Sequence, residues 1–292
     1  MSADTVAPPT GRGPSTRETQ TPAKAPRPGD VATKVWSGIW PKLLAVFLAV
    51  AIWQVAVWSA WKPEYLLPSP ATVFSDLADI VQTATFWEAM GTTMQRGGVG
   101  FAFSLVFGTL LGIAVSQSRI LRAGVGSMIT GLQTMPSIAW FPFAMVLFGT
   151  FSPFAIMFVI VLGAAPSIAN GVIAGIDEVP PPLLRAGHML GARGINRYRY
   201  VVLPAALPAY LAGLKQGWAF AWRSLMAGEL IVQLPGEFSL GGSLSKAQDT
   251  VQTDDLMAYM IVILIIGMAV DGIFSAITNR VRARRGLTGF NR

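Results

Sequence analysis

Six stretches of predominantly apolar residues recur along the chain, and they constrain its fold more than any other feature. They cover residues 43–61, 98–115, 125–148, 154–176, 207–234 and 256–278. A helix needs about 20 such residues to cross the hydrocarbon core of a bilayer. Charged residues make up 13% of the chain, against about 25% in soluble domains. The pattern predicts an all-α fold, a polytopic membrane bundle of six transmembrane helices.

The charged residues alternate in sign from one connection to the next. Basic residues flank the first and last stretches and fill the second and fourth connections; they are Lys24, Arg27, Lys34, Lys42, Arg119, Arg122, Arg185, Arg193, Arg197, Arg199, Arg280, Arg282, Arg284 and Arg285. The other connections hold mainly acids: Glu64, Asp76, Asp79, Glu88, Glu237, Asp249, Asp254 and Asp255, against Lys62 and Lys246. Short cytoplasmic loops are enriched in Lys and Arg. We therefore expect a multi-pass protein of the inner (plasma) membrane with both termini in the cytoplasm. The net charge of +7 is therefore interpreted as membrane topology and not as a nucleic-acid surface.

The sequence lacks the residues that disulfides, common metal sites and nucleotide-binding or catalytic sites require. The chain has no cysteine and one histidine, His188, which excludes disulfides, thiolate metal sites and multi-histidine metal centres. No GxxxxGK[ST] phosphate loop and no Ser/His/Asp set is present, so ATP must be bound elsewhere. We expect no metal or other cofactor in this chain and no catalytic residue. A membrane enzyme is therefore a weak alternative.

The domain organisation follows from the apolar stretches. Residues 1–35 are rich in Pro, Thr, Ala, Gly and Arg and are predicted to form a disordered cytoplasmic tail. Residues 36–285 form the membrane domain, with a polar loop at 177–204, and residues 286–292 form a second tail. After the first stretch, Ser69 and Pro70 have the character of an N-cap and first helical residue. They predict a short interfacial helix on the outer surface, with Val73, Leu77, Ile80 and Ala84 recurring at helical spacing, and an ordinary amphipathic connector is the alternative.

Small residues recur every four positions within three stretches. The rows are Gly100, Ser104, Gly108 and Gly112; Gly163, Ser167, Gly171 and Gly175; and Gly213, Gly217 and Ala221. Such rows let helix backbones approach closely in lipid. We expect a tightly packed bundle, with two copies of the chain meeting through these rows and the fifth stretch.

The loop at 177–204 reads DEVPPPLLRAGHMLGARGINRYRYVVLP. Three prolines, Pro180 to Pro182, end the fourth apolar stretch and begin a new helix, which Gly191 terminates. A second short helix is predicted from Ile195 to Leu203-Pro204. Two short helices joined at a glycine form a compact projection from the membrane.

This loop resembles the EAA loop of ABC importer permeases. Ala186, Gly191, Val201, Leu203 and Pro204 fall at the matching spacings, whereas Arg185 replaces the usual Glu and Gly187 the usual second Ala. The resemblance implies a coupling helix that docks on a separate ATPase subunit. The residues assigned to this contact are Leu183, Arg185, Ala186, Gly187, Leu190, Gly191, Leu203 and Pro204.

Further motifs resemble the branch of this family that imports sulfonates, taurine, nitrate and bicarbonate. They are Leu67 to Pro70, Arg96 with Gly100-Phe101, Gln133 to Pro136, and WRSLMAGE from Trp222 to Glu229. The resemblance implies a type I importer permease that works as a homodimer. Its partners would be two ATPase subunits, which hold ATP and Mg²⁺, and an extracytoplasmic substrate-binding protein.

Polar residues inside the apolar stretches are candidate pathway residues, because ionisable groups at that depth are costly. We assign Gln133, Met135, Trp222, Arg223 and Glu229 to the pathway. For Arg223 and Glu229 a structural ion pair or a polar helix contact is the alternative, and Asp271 is expected to pair with a basic neighbour. A secondary transporter, the main rival class, would use intramembrane carboxylates for ion coupling.

Overall fold

The computed structural model describes residues 28–284, which contain helices and no strands. The helices are α1 (Pro28–Trp58), α2 (Pro70–Val81), α3 (Ala84–Gln117), α4 (Arg119–Thr134), a 3₁₀ turn (Ser137–Trp140), α5 (Phe141–Phe148), α6 (Pro153–Asp177), α7 (Pro181–Met189), α8 (Ile195–Arg197), a π-helical turn (Tyr198–Val202), α9 (Leu203–Ile231), α10 (Leu240–Asp249) and α11 (Thr253–Arg284). The chain divides into two compact units inside α1, residues 1–53 and 54–292. α1 begins at Pro28, inside the predicted tail at 1–35. The rest of that tail, and the predicted tail at 286–292, lie outside the described residues.

Three helices, α3, α6 and α9, form the core of the second unit, and their small residues make the packing possible. A Cβ on Gly108 would lie 2.6 Å from the carbonyl oxygen of Ala165, and one on Gly171 would lie 2.7 Å from the Cα of Gly213. Backbone therefore meets backbone where α3 crosses α6 and where α6 crosses α9. The predicted tight bundle is confirmed, but the expectation that these rows join two copies is wrong, because they are already buried within one chain.

The third apolar stretch is not a straight helix. α4 ends at Thr134, and the 3₁₀ turn and α5 that follow are bent from it by 104°. Pro136 explains the break, since a residue before proline is pushed out of the helical region, and Met135 has the extended angles φ −79°, ψ 129°. The stretch 125–148 is thus a broken span or a re-entrant loop.

Among the described residues, four helices are long and apolar enough to cross a membrane: Trp40–Trp58, α3, α6 and α11. The bent pair makes a fifth if it is one span. α9 has 29 residues, enough for a crossing, but it also contains Lys215, Arg223 and Glu229. A count of six spans therefore does not follow from length and composition alone.

The short helix α2 starts as predicted. The Ser69 side chain accepts a hydrogen bond from the Thr72 amide, and Pro70 is the first helical residue. Leu77 and Ile80, however, pack on a cluster formed by Phe86, Leu240, Val262 and their neighbours. The apolar side of α2 is therefore covered by protein, from α3, α10 and α11, which corrects the expectation of a helix lying on lipid.

Candidate functional site

A cavity of about 300 Å³ lies at the break after α4. Its lining includes Gln133, Met135 and Pro136 from the break and Arg223 from α9. Three of the five predicted pathway residues, Gln133, Met135 and Arg223, thus meet at one cavity.

Arg223 is the charged group of this cavity. Its side chain is exposed, and its guanidinium lies 5.2 Å from the ring centroid of Phe220, which also lines the cavity. The ion pairs of the described residues do not include Arg223. The structural ion pair considered for Arg223 is therefore absent from this part of the chain, and its cation is available to an anion.

Gln133 is held by α6. Its amide nitrogen donates to the Ser167 hydroxyl at 2.9 Å, and its carbonyl oxygen accepts from the Asn170 amide at 3.1 Å. These bonds fix the last turn of α4 beside the cavity. Gln133 therefore shapes the cavity wall, and its polar atoms already have partners.

Trp222 does not line this cavity. Its ring stacks on Trp218 with centroids 6.1 Å apart, and its indole lies against Gly267 of α11, where a Cβ would be 3.0 Å from Nε1. Adjacent residues are about 100° apart around a helix, so Trp222 faces α11 while Arg223 faces the cavity. Trp222 therefore lies apart from Arg223, and its assignment to the pathway stays a prediction.

Glu229 is also separate from the cavity and belongs to a buried network. Thr93 donates to its carboxylate at 2.9 Å, the Gly241 amide donates at 3.0 Å, and Arg96 lies 3.3 Å away. Arg96 also pairs with the half-exposed Glu237. The polar-contact alternative holds for Glu229, which fastens the start of α10 to α3 and α9.

Helix geometry explains why Arg223 and Glu229, both on α9, face different neighbours. Six residues correspond to about 600°, so Arg223 and Glu229 lie about 120° apart around the helix axis. The sequence could not reveal Thr93 or Gly241 as partners, because Thr93 is 136 positions from Glu229. From the sequence, Arg96 is assigned only to a family motif, together with Gly100-Phe101.

The remaining intramembrane carboxylate is paired as expected. Asp271 of α11 lies 3.2 Å from the Lys215 ammonium of α9. Both carboxylates that a secondary transporter could have used, Glu229 and Asp271, are thus engaged in structural contacts.

The loop at 177–204 folds as a compact projection. α7 ends in a glycine turn: Gly191 has φ +83°, and the amides of Gly191 and Ala192 donate to the carbonyls of His188 and Gly187. Positive φ is easy only for glycine, which explains Gly191 at this position. α8 and the π-helical turn then run directly into α9, so the predicted second helix does not stop at Leu203-Pro204; Pro204 lies in the first turn of α9.

The apolar side of α7 borders a groove of about 380 Å³. Leu183, Ala186, Gly187 and Leu190 form one wall, and Tyr200, Val201, Pro204 and Ala205 form the other. Leu190 is 87% exposed and Leu183 44% exposed. The predicted apolar face exists, but it forms half of an open groove with its own chain and not a free ridge. Arg185 lies outside the groove, whereas Leu203 and Gly191 flank its ends.

Gly187, one of the two departures from the EAA pattern, has a local explanation. A Cβ at this position would lie 2.7 Å from the Val201 Cγ2. The branched Val201 thus occupies the space that the usual alanine methyl would need. The close approach holds α7 against the segment that returns to α9.

Comparison with known proteins places these features in one family. A family model described as the binding-protein-dependent transport system inner membrane component matches residues 104–285. The taurine transport system permease protein of Escherichia coli is 30% identical over 248 residues, which cover 83% of this chain and 88% of that protein. A nitrate import permease protein of Leptolyngbya laminosa is 23% identical over 251 residues, covering 82% and 87%.

The fold also occurs in a solved structure, a bacterial alginate ABC transporter in complex with an alginate pentasaccharide-bound periplasmic protein. The TM-score is 0.57 at 13% identity, and the match covers 87% of this chain and 99% of that chain. At this identity the likeness concerns the fold alone. Together with the family match, it makes this chain a member of the binding-protein-dependent inner membrane component family, an ABC importer permease of the taurine, sulfonate and nitrate branch and not an enzyme.

Proposed function

We propose that this chain forms the membrane pathway for a small anion, such as a sulfonate, taurine or nitrate, and that a separate ATPase drives it through residues 183–193. The observation that supports this most is Arg223, a cation on a membrane helix, at a cavity, with no carboxylate partner among the described residues. Such a residue is costly in lipid unless it serves a ligand or lines water. A guanidinium binds sulfonate or nitrate oxygens through several N–H donors at once.

Relatives named for taurine and nitrate support the same class of solute, whereas one named for riboflavin keeps an uncharged heterocycle as the alternative. Taurine carries a sulfonate group and nitrate is an anion, and permeases named for both resemble this chain over most of its length. The cavity of about 300 Å³ is at the small end of ligand pockets. A small polar anion is therefore a better match than an oligosaccharide.

The working assembly is proposed to contain two copies of this chain, two ATPase subunits that bind ATP and Mg²⁺, and an extracytoplasmic binding protein. On α9 the exposed positions in the middle of the helix are Ala212, Gln216 and Arg223, which recur at helical spacing on one side. We assign this side to the pathway between the copies. The mass of the purified complex tests the copy number, and a second, different permease chain in it would contradict the homodimer.

The orientation is proposed from charge, with both termini in the cytoplasm and with α9 as an additional span that brings the total to six. From Arg96 to Ser116, α3 advances about 30 Å at 1.5 Å per residue, which matches the hydrocarbon thickness. The Glu229 network includes Arg96 at one end of this segment, and Arg122 bonds to Ser116 at the other end. A reporter fused after Arg292 should be active only if it is of the kind that works in the cytoplasm.

Replacing Arg223 with alanine should lower anion uptake about 10- to 100-fold, which corresponds to the loss of one charged hydrogen bond at roughly 1.5–3 kcal/mol. The measurement is uptake of labelled taurine and nitrate into cells or proteoliposomes that contain the complete importer. Assembly is followed by co-purification of the ATPase.

Arg223→Lys is the matched control, because it keeps the charge and should retain part of the uptake. Unchanged uptake by Arg223→Ala would show that Arg223 is not a pathway residue. Loss of co-purification in step with uptake would assign it to assembly instead.

The coupling proposal is tested in the groove beside α7. Ala186→Glu places a carboxylate between Leu183, Leu190 and Tyr200, in a groove that we propose receives an apolar side chain of the ATPase. We expect the permease to insert normally but to bind the ATPase at least about tenfold more weakly, because the charge must be desolvated.

Asn196→Glu is the control for this variant. It makes the same change of charge at an exposed residue of α8, outside the groove and outside residues 183–193. It should keep ATPase binding within about twofold. Equal loss of binding in both variants would show that charge near α7, and not the groove, governs docking.

A further inference from the structure

Arg122 bridges the cytoplasmic ends of two core helices. Its Nη1 lies 2.8 Å from both carboxylate oxygens of Asp177, the last residue of α6, and its Nη2 donates to the Ser116 carbonyl in the last turn of α3 at 3.2 Å. Helix C-termini carry partial negative charge and unpaired carbonyls. A cation is therefore favoured between them, and it also offsets the acid that Asp177 adds there.

A second set of polar contacts joins α4 to α6. At the other end of α4, Gln133 bonds to Ser167 and Asn170 of α6. Arg122 and Gln133 are 11 residues apart, close to three full turns, so they lie on one side of α4. On α6, Asp177 and Asn170 are seven residues apart and also share a side.

Between these two fasteners, the packing of α4 is sparse. A methyl group added to Gly124, Gly126 or Gly131 would meet no neighbouring atom within 4 Å. The buried side chain of α4 is Ile129, which meets Val115 and Ala169, and Val125 of α4 and Ile173 of α6 pack against them. This apolar cluster lies between the two polar fasteners, which attach the two ends of α4 to α6.

We infer that Arg122 and Asp177 are a positioning pair that makes α4 follow α6 when the coupling segment moves. Asp177 precedes α7 by three residues, and α4 leads to the break at Met135 that lines the Arg223 cavity. A displacement of residues 183–193 is thus transmitted through Asp177 and Arg122 to α4, and from α4 to the cavity. The inference rests on the proposed coupling function but not on the nature of the solute.

Because both side chains are about 40% exposed (41% for Arg122 and 44% for Asp177), their contribution to stability is small. The pair should therefore affect the solute transported per ATP hydrolysed and not the amount of folded permease. In proteoliposomes with the complete importer, Arg122→Glu and Asp177→Arg should each lower this ratio about fivefold or more. ATP hydrolysis itself should stay within about twofold.

The double variant Arg122→Glu/Asp177→Arg recreates the pair with reversed charges and should restore part of the ratio, because the new acid on α4 regains a partner on α6 but cannot donate to the Ser116 carbonyl. Arg119→Glu is the control, since Arg119 is exposed, lies in the same first turn and has no ion pair among the described residues. Normal ratios in both single variants, or a double variant no better than either, would overturn the inference.

A second readout does not need the solute. The chain has no cysteine, so Ser127→Cys on α4 and Glu178→Cys after α6 can carry spin labels. Their distance should stay constant between nucleotide-free and ATP-trapped complexes, and it should change between these states in Arg122→Glu. A constant distance in both proteins would contradict the inference. If neither taurine nor nitrate is transported, the proposed solute is wrong, and this distance still decides the role of the pair.

Discussion

Replacing Glu229 with alanine is expected to destabilise the permease by about 3–5 kcal/mol, the usual cost of removing one partner from a buried charged network. The Gly241 amide and the Thr93 hydroxyl lose their acceptor, and Arg96 loses its buried partner. Because these groups join α3, α9 and α10, the connection at 232–239 should loosen as well. Thermal unfolding of the purified permease in detergent, followed by fluorescence of its nine tryptophans, measures the change.

Glu237→Ala is the matched control. It removes the other carboxylate that pairs with Arg96. The Glu237 side chain is 53% exposed, so its loss should lower the free energy of unfolding by less than about 1 kcal/mol. A similar melting temperature for both variants would mean that Glu229 is not a structural residue. A stable Glu229→Ala protein that has lost uptake would return Glu229 to the pathway.

Gly213→Ala should also destabilise the fold, by about 2–3 kcal/mol, in the upper range of overpacking costs. The added methyl would lie 2.6 Å from the Gly171 Cα and 3.1 Å from the Ser167 carbonyl oxygen. Both are backbone atoms, so α6 and α9 would have to separate. Melting of the purified protein again gives the result.

The same substitution at Gly131 serves as its control, with the opposite sign expected. A methyl at Gly131 would meet no neighbouring atom within 4 Å, and alanine stabilises a helix by up to about 1 kcal/mol relative to glycine. Equal effects at the two positions would show that helix propensity, and not the α6–α9 contact, determines the result.

Much of the membrane fold could be predicted from local pattern. The apolar stretches predicted most of the long helices, the Ser69-Pro70 start of α2 was correct, and Gly191 does end α7. Each of these depends on a few neighbouring residues, such as a run of apolar side chains or the positive φ that glycine permits. Asp271 was also correctly expected to have a basic partner, although Lys215 could not be identified in advance.

The errors arose where distant residues or rotation around a helix decided the outcome. Trp222, Arg223 and Glu229 looked like one polar group in the sequence, yet they face α11, the cavity and the α10 network respectively. The small-residue rows indicated close helix contacts without indicating whose helices meet. α2 looked suited to lipid because its apolar side is visible in sequence while its covering cluster is not.

The sequence by itself determined that this is a helical membrane protein of the importer permease family, because hydropathy, loop charge and the coupling motif are local properties of the chain. Only the tertiary structure decided that Arg223 stands at a cavity while Glu229 is a buried fastener. It also decided that the glycine rows are used within one chain. The physical reason is that a buried charge or a missing methyl acquires its role from the atoms packed against it. Those atoms come from other helices, such as Thr93 beside Glu229 and Gly171 beside Gly213, and a local pattern does not identify them.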